Sequence, residues 1–532
     1  MSAAPRKNPL TDLTLYLQTV RKTLTEGETA AEEKEGIVMG VLEEISGKEA
    51  GLACDQRGSK QLQALLGLMS AEQATEVVAK IVSVGSDTLC NQYASHVIEA
   101  GLARLTGTRL EEELLNVLTQ EAEYLLYHVC GTHVIRGFIL AAGGYTSKMP
   151  AQSSRSITLP ASPPEQVRHE TLTRLVHVLQ PFIEGTPLKL LTHPQASPTV
   201  QTLLVVLSKA NTTLLSPLVS ALSEVVPSLT GDPIGSHAAE TLLAVAGHTS
   251  KKILRQMTAA VLAGEGRFAG YAIQTAVSNA KDIKDVLNIL KHAKLDNINV
   301  TSVAIMQRLA TTAAENFPDA RSAVIAKAIE VFGSPITPRL LTLDISCDWD
   351  TLPTKKVAPA GALLLSTFIK FANNMSDITS EDDRDALKQS LKGLEVKKWA
   401  QNLDYFLDSR PACRVIETLL SSEISEKDKK SLCEGLLPKL PKLAVDLRNG
   451  GSYLVSSVWN AATPDIKRRI SECLLEVEGL RELNFKIWKI CGLNSFKLEP
   501  EQWEQTQQKQ SKAKALFADI LQAPVKRARA NE

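Results

Sequence analysis

A short phrase recurs along this chain of 532 residues at intervals in the thirties, and a repeated unit of that length dictates an array of stacked modules. Its clearest copies are Gln92-Tyr93-Ala94-Ser95-His96-Val97-Ile98-Glu99, Pro233-Ile234-Gly235-Ser236-His237-Ala238-Ala239-Glu240 and Pro411-Ala412-Cys413-Arg414-Val415-Ile416-Glu417. Each runs through a small residue, a small polar one, a side chain able to stack, two apolar positions, and an acid or amide. On a helix the first and last polar positions lie four apart on one face, and the residue after the first projects beside them. Indexed by the first polar position, copies fall at Ser59, Ser95 and Thr132, then at Ser197, Ser236, Gly270 and Ser302, and again at Gly361, Cys413 and Ser452. Amphipathic stretches such as Ala71 to Val84 precede them as packing helices. The expected fold class is therefore all-α, a solenoid in which neighbouring repeats bury one another's apolar faces.

Composition agrees with stacked helices. Aromatic residues make up only 5%, against 44% hydrophobic and 22% charged, which suits Ala- and Leu-rich helices better than a β-sandwich. Lys plus Arg equal Asp plus Glu at 59 each, so any nucleic-acid binding has to come from local segregation of charge. The eight cysteines are scattered with no CxxC pair, the pattern of reduced thiols in an intracellular protein. The first residues lack the apolar run of a signal peptide, and no stretch approaches the roughly 20 apolar residues of a membrane span.

Three regions are expected. Residues 1–35 form a lead-in helix, over 10–24, and an acidic linker; residues 36–500 form the array; residues 501–532 form a basic tail. The tail ends in Lys526-Arg527-Ala528-Arg529, a candidate nuclear-import or phosphate-binding element. A Ser-, Pro- and Gly-rich segment at about 143–166 reads as a flexible loop inserted in the array, and 333–339 and 377–385 read as surface loops. The copies at Ser302 and Gly361 keep the apolar pattern but lose the polar triplet, so they are expected to be structural. Residues 483–497 are expected to cap the array.

Catalytic and metal readings find little support. Adjacent Ser and His residues at 95 and 96 or 236 and 237 diverge by about 100° on a helix, and no third orienting group recurs with them. His128 and His133 are five apart near Cys130, the wrong spacing for one helical face, and no second cluster completes a tetrahedral set. Phosphate-loop, dinucleotide and HExxH motifs do not occur. No enzyme activity, cofactor or metal is expected.

The ordered series of phrases resembles the second helices of Pumilio (PUF) repeats. With Leu42 to Ser59, the inserted loop, the degenerate middle copies, and Asn484-Phe485-Lys486-Ile487-Trp488 followed by Trp503, it resembles the nucleolar protein nine branch, over roughly 40 to 500. The resemblance implies a C- or U-shaped array of about eleven repeats in the nucleus and nucleolus. Its partners would be precursor ribosomal RNA of the small subunit and pre-ribosomal particles, with no membrane and no small-molecule substrate. It also implies a role in 18S rRNA maturation and ribosome biogenesis.

In such repeats the triplet faces one base. Ser95, His96 and Glu99, then Ser236, His237 and Glu240, then Cys413, Arg414 and Glu417 carry the full chemistry, and by the family's code a small residue with Glu points to guanine. Ser59, Lys60 and Gln63, and Tyr271 and Gln274 behind Gly270, offer an amide and point to adenine. Thr132, His133 and Arg136 suit a phosphate as well as a base; Ser452 and Tyr453 supply a stacking side chain but a poor edge reader in Ser456. Pro198 after Ser197 departs from the pattern. The competing classes are a protein-binding armadillo- or HEAT-like scaffold or transport adaptor, and a Pumilio-type messenger RNA regulator.

Overall fold

The computed structural model describes residues 9–26, 31–105, 108–145, 159, 166–295, 298–373, 375–423, 426–446 and 450–522. Most of the inserted loop at 143–166, and Lys526 to Arg529, lie outside the described residues. The described residues are helices and connecting turns, with no strand among them. Residues 1–281 and 282–532 form two compact units.

Every phrase lies at the start of a helix, and these helices, with the lead-in helix before them and one short helix after, form one layer of each unit. In chain order they are α1 (Pro9–Glu26), α2 (Gln56–Leu66), α3 (Ala94–Leu102), α4 (Val129–Ala142), α5 (Ala196–Ala210), α6 (Gly235–Ala246) and α7 (Ala269–Ser278) in the first unit. The second unit holds α8 (Val300–Glu315), α9 (Pro359–Lys370), α10 (Arg410–Ser421), α11 (Gly451–Ala461) and α12 (Phe485–Ile490). Within each unit each of these helices packs on the next. A second layer runs behind them: Ala71–Val82, Arg109–Tyr127, His169–Gly185 and Thr212–Leu222 stack in turn.

Local sequence accounts for these elements. Ser70 accepts a hydrogen bond from the Gln73 amide while the Gln73 side chain accepts one from the Ser70 amide, a closed capping box. Ala74, Val77, Val78 and Ile81 of the helix that follows are buried at helical spacing. The lead-in helix α1 buries Leu13, Leu17, Val20 and Leu24 and packs on α2, extending the phrase layer. At the far end Trp503, 5% exposed, packs its ring 4.8 Å from Phe496 and 5.9 Å from Trp459, closing the core behind α11.

Two expected loops are largely helix. Residues 333–339 enter the helix Ile336–Thr342 because Ile336, Leu340 and Leu341 are buried. Residues 377–385 pass into Glu381–Lys392, capped by Ser380, whose hydroxyl accepts from the Asp383 amide; Glu381, Asp382 and Asp383 complement the positive helix end.

Candidate nucleic-acid interface

In five copies one residue sets the orientation of the phrase, and the sequence reading missed it. Four positions before the first polar residue stands a side chain that accepts from the amides two and three residues on, where the chain turns into the helix: Asp55, Asn91, His128, His193 and Asp232 before Ser59, Ser95, Thr132, Ser197 and Ser236. Asp55 Oδ1 accepts from the amides of Arg57 and Gly58 at 3.0 and 2.7 Å, and Asp232 Oδ1 from Ile234 and Gly235 at 2.8 and 2.7 Å. In two copies imidazole takes over. His128 Nδ1 accepts from Cys130 and Gly131 at 3.2 and 3.3 Å, and His193 Nδ1 from Gln195 and Ala196 at 3.2 and 3.4 Å. Both rings therefore act as acceptors at Nδ1, which explains His128 without a metal. Among the described residues no group of three or more His, Cys, Asp or Glu is placed to hold one.

The small residue that opens the phrase has a steric cause. A Cβ at Gly58, Gly131 or Gly235 would stand 2.6, 2.9 or 3.0 Å from the carbonyl oxygen of Leu52, Leu125 or Leu229, where the chain enters the helix.

The first polar position is closed. Ser59, Ser95, Thr132, Ser236 and Cys413 are 1–3% exposed, packed where neighbouring helices of the layer meet. Their polar hydrogens turn inward: Ser59 donates to the Gln56 carbonyl, Thr132 to Val129, Ser236 to Pro233, and Cys413 Sγ to Phe406. Burial also pushes the Cys413 thiol up to about 11.

The second position is open, and the third is half-buried beside it. The His96 side chain is 60% exposed with Nδ1 3.2 Å from Glu99 Oε2; His237 Nδ1 lies 3.3 Å from Glu240 Oε1. Stacker and acid thus pair with each other, three residues apart, instead of small residue with acid. Lys60, Tyr271, Arg414 and Tyr453 are exposed, and Gln63, Gln274 and Glu417 half-buried. Arg136, 7% exposed, donates from Nη2 to His133 Nδ1 at 2.8 Å and from Nε to the Thr132 carbonyl at 3.3 Å. Burial, then the Arg136 charge, pull the His133 imidazole below its ordinary range, in keeping with its role as acceptor. Burial is also the main reason the carboxyls of Glu240 and Glu417 are raised.

The third position reaches over the next repeat, five residues beyond that repeat's first position. Glu99 lies against Gly137, where a Cβ would stand 3.8 Å from Glu99 Cγ. At the next crossing but one the place is filled: Thr241 Oγ1 lies 2.9 Å from Gln201 Oε1, and Gln201 Nε2 donates to Ser197 Oγ at 3.1 Å. Gln201 is accordingly only 4% exposed. In the second unit Gln307 Nε2 donates to Thr367 Oγ1 at 2.9 Å.

That contact corrects the alignment of the two middle copies. Gln307 and Thr367 take the places of Gln201 and Thr241 only if the first positions are Val303 and Ala362, one residue beyond Ser302 and Gly361. Two further bonds agree: the amides of Val303 and Ala362 bond to the carbonyls of Asn299 and Ala358, as Ser95 does to Asn91. The exposed second position of α9 is then Leu363, at 58%.

The row also continues beyond Tyr453. Asn484 Nδ2 donates to Ser452 Oγ at 2.7 Å, Lys486 Nζ stands 4.6 Å from the centre of the Tyr453 ring, and Phe485 is 59% exposed. Residues 483–497 thus carry an inner helix as well as an end to the array.

The NOP9-like PUF repeat domain matches residues 218–482. Nucleolar protein 9 of Yarrowia lipolytica is 23% identical over 92% of this chain and 74% of its own length. Pumilio homolog 23 of Arabidopsis thaliana is 24% identical over 93% of this chain and 72% of its own. The solved structure of APUM23-GGAAUUGACGG superposes with a TM-score of 0.69 at 20% identity, covering 94% of this chain and 99% of that one. The fold is an α-solenoid of Pumilio-type helical repeats, and the chain carries NOP9-like PUF repeats over residues 218–482.

Proposed function

We propose that the phrase layer binds single-stranded RNA. The observation that carries this reading is the series of exposed second positions, His96, Tyr271, Arg414 and Tyr453, with His237 half-exposed among them, each beside an acid, amide or hydroxyl. Flat or cationic side chains stack on bases, at about 1 to 3 kcal/mol each, and the neighbouring groups can choose among base edges. Glu99, Glu240 and Glu417 would accept from guanine, Gln63 and Gln274 would suit adenine, and Arg136 with His133 would meet a phosphate. The small first positions let neighbouring helices approach closely, which sets the spacing of the stackers.

The finer reading is precursor ribosomal RNA of the small subunit, bound in the nucleolus during ribosome biogenesis. The names of the relatives support it; the RNA of the solved neighbour supports only the coarser reading of RNA binding. Filter binding with fragments of the small-subunit precursor tests it: a preference of about tenfold or more over unrelated RNA at moderate salt is expected, and equal binding would remove the ribosomal claim. Crosslinking and sequencing of bound RNA from cells separates precursor rRNA from messenger RNA.

A further inference from the structure

A groove of about 440 Å³ lies between α9 and α10, with Pro359, Leu363 and Ser366 on one wall and Arg410 and Arg414 on the other. It sits within the row: Leu363 and Arg414 are the second positions of successive copies. Where His96, Tyr271 and Tyr453 present a ring and Lys60 and Arg414 a cation, α9 presents an exposed aliphatic side chain. Its third position, Ser366, is 7% exposed and donates back to the Ala362 carbonyl at 2.9 Å, so no polar group on that wall is free to inspect a base edge. Of the acids, Glu417 feels both guanidinium groups, one negative charge against two positive.

We propose that this groove holds one unpaired nucleotide without reading its identity, the base lying on Leu363 and Pro359 and the phosphate on Arg410 and Arg414. The inference rests on the RNA-binding reading above. An apolar platform accepts any base because each has a flat face, and the paired guanidinium groups suit a phosphate. The preceding copy reinforces it. The Gln307 amide is already committed to Thr367, so two successive copies lack an open edge reader. The degenerate middle of the array would carry the strand across a position where its sequence is immaterial.

Selection from short single-stranded RNAs of random sequence tests this, with wild type, Leu363→Asp, Arg410→Ser and the control Ile345→Asp, which alters an exposed apolar residue elsewhere in the same unit. Thermal melting by circular dichroism checks that each variant is folded. Wild type should select RNAs in which one position without base preference is flanked by constrained ones. Leu363→Asp should weaken binding about tenfold by repelling the strand from its platform. Arg410→Ser should weaken it several-fold and flatten the log–log salt dependence by roughly 0.7, while Ile345→Asp should bind as wild type. If wild type retains RNA but the first two variants bind equally well, the groove proposal alone fails. If wild type retains none of the pool, the RNA reading itself fails and this inference with it.

Discussion

Thr241 Oγ1 lies 2.9 Å from Gln201 Oε1 across the boundary between α5 and α6, and it closes a position that in α3 stays open. Glu99 occupies the same place in its own copy but faces Gly137, which has no side chain to engage it. A residue of the following repeat thus decides whether an acid or amide remains available to a ligand.

Removing that closure should cost stability without affecting the triplets at His96 or Arg414. Thr241→Val leaves the Gln201 carbonyl oxygen without this donor in a buried site, at about 1 to 3 kcal/mol. Denaturant unfolding should show a lower midpoint, while RNA affinity at moderate salt stays within about twofold of wild type.

The histidine caps give a different expectation. His128→Ala should destabilise by about 1 kcal/mol, because the Cys130 and Gly131 amides lose their acceptor at the start of α4. His128→Asn should restore most of the loss, since asparagine fills the equivalent place at Asn91. An alanine variant as stable as the parent, measured by unfolding, would remove the cap from the account.

Stacking can be tested at two well-separated copies. His96→Ala together with His237→Ala should reduce RNA affinity by about 1 to 3 kcal/mol for each base lost, with the melting temperature little changed. His96 is exposed and His237 half-exposed at their second positions, so unaltered affinity would take both out of the interface.

Burial raises the carboxyls of Glu240 and Glu417, and the sign of the consequence follows. The folded state holds these protons more tightly than the unfolded chain, so their contribution is fully present below the ordinary glutamate range near pH 4 and is lost as pH rises through the raised values. Glu240→Gln with Glu417→Gln should therefore melt above wild type at pH 7.5 and level with it near pH 4. An equal gain at both values would show that ionisation is not the cause.

Much of the array was legible because helical burial has a fixed period. Apolar pairs such as Val97 and Ile98, Val134 and Ile135, and Val415 and Ile416 mark the buried face in most copies, and the interval between copies gives the repeat. The copies at 302 and 361 were placed one residue early because their polar landmark is gone: Ser302 and Gly361 are small, but small residues also fill the site just before the first position. The amide bonds of Val303 and Ala362 to the cap carbonyls identify the register.

The sequence by itself determined the all-helical class, the phrase helices, their order and the exposed second positions of the copies that keep their polar landmark, since these depend on local spacing and on side-chain type. Only the tertiary structure decided which members of a triplet are presented. Ser95 and Ser236 look like readers in sequence but are closed by the neighbouring helix, and Gln201 and Gln307 are committed to Thr241 and Thr367. Leu363, Arg410 and Phe485 join the row through packing between repeats. Availability to a ligand depends on what the next repeat places opposite, a contact between residues dozens of positions apart that no local pattern encodes.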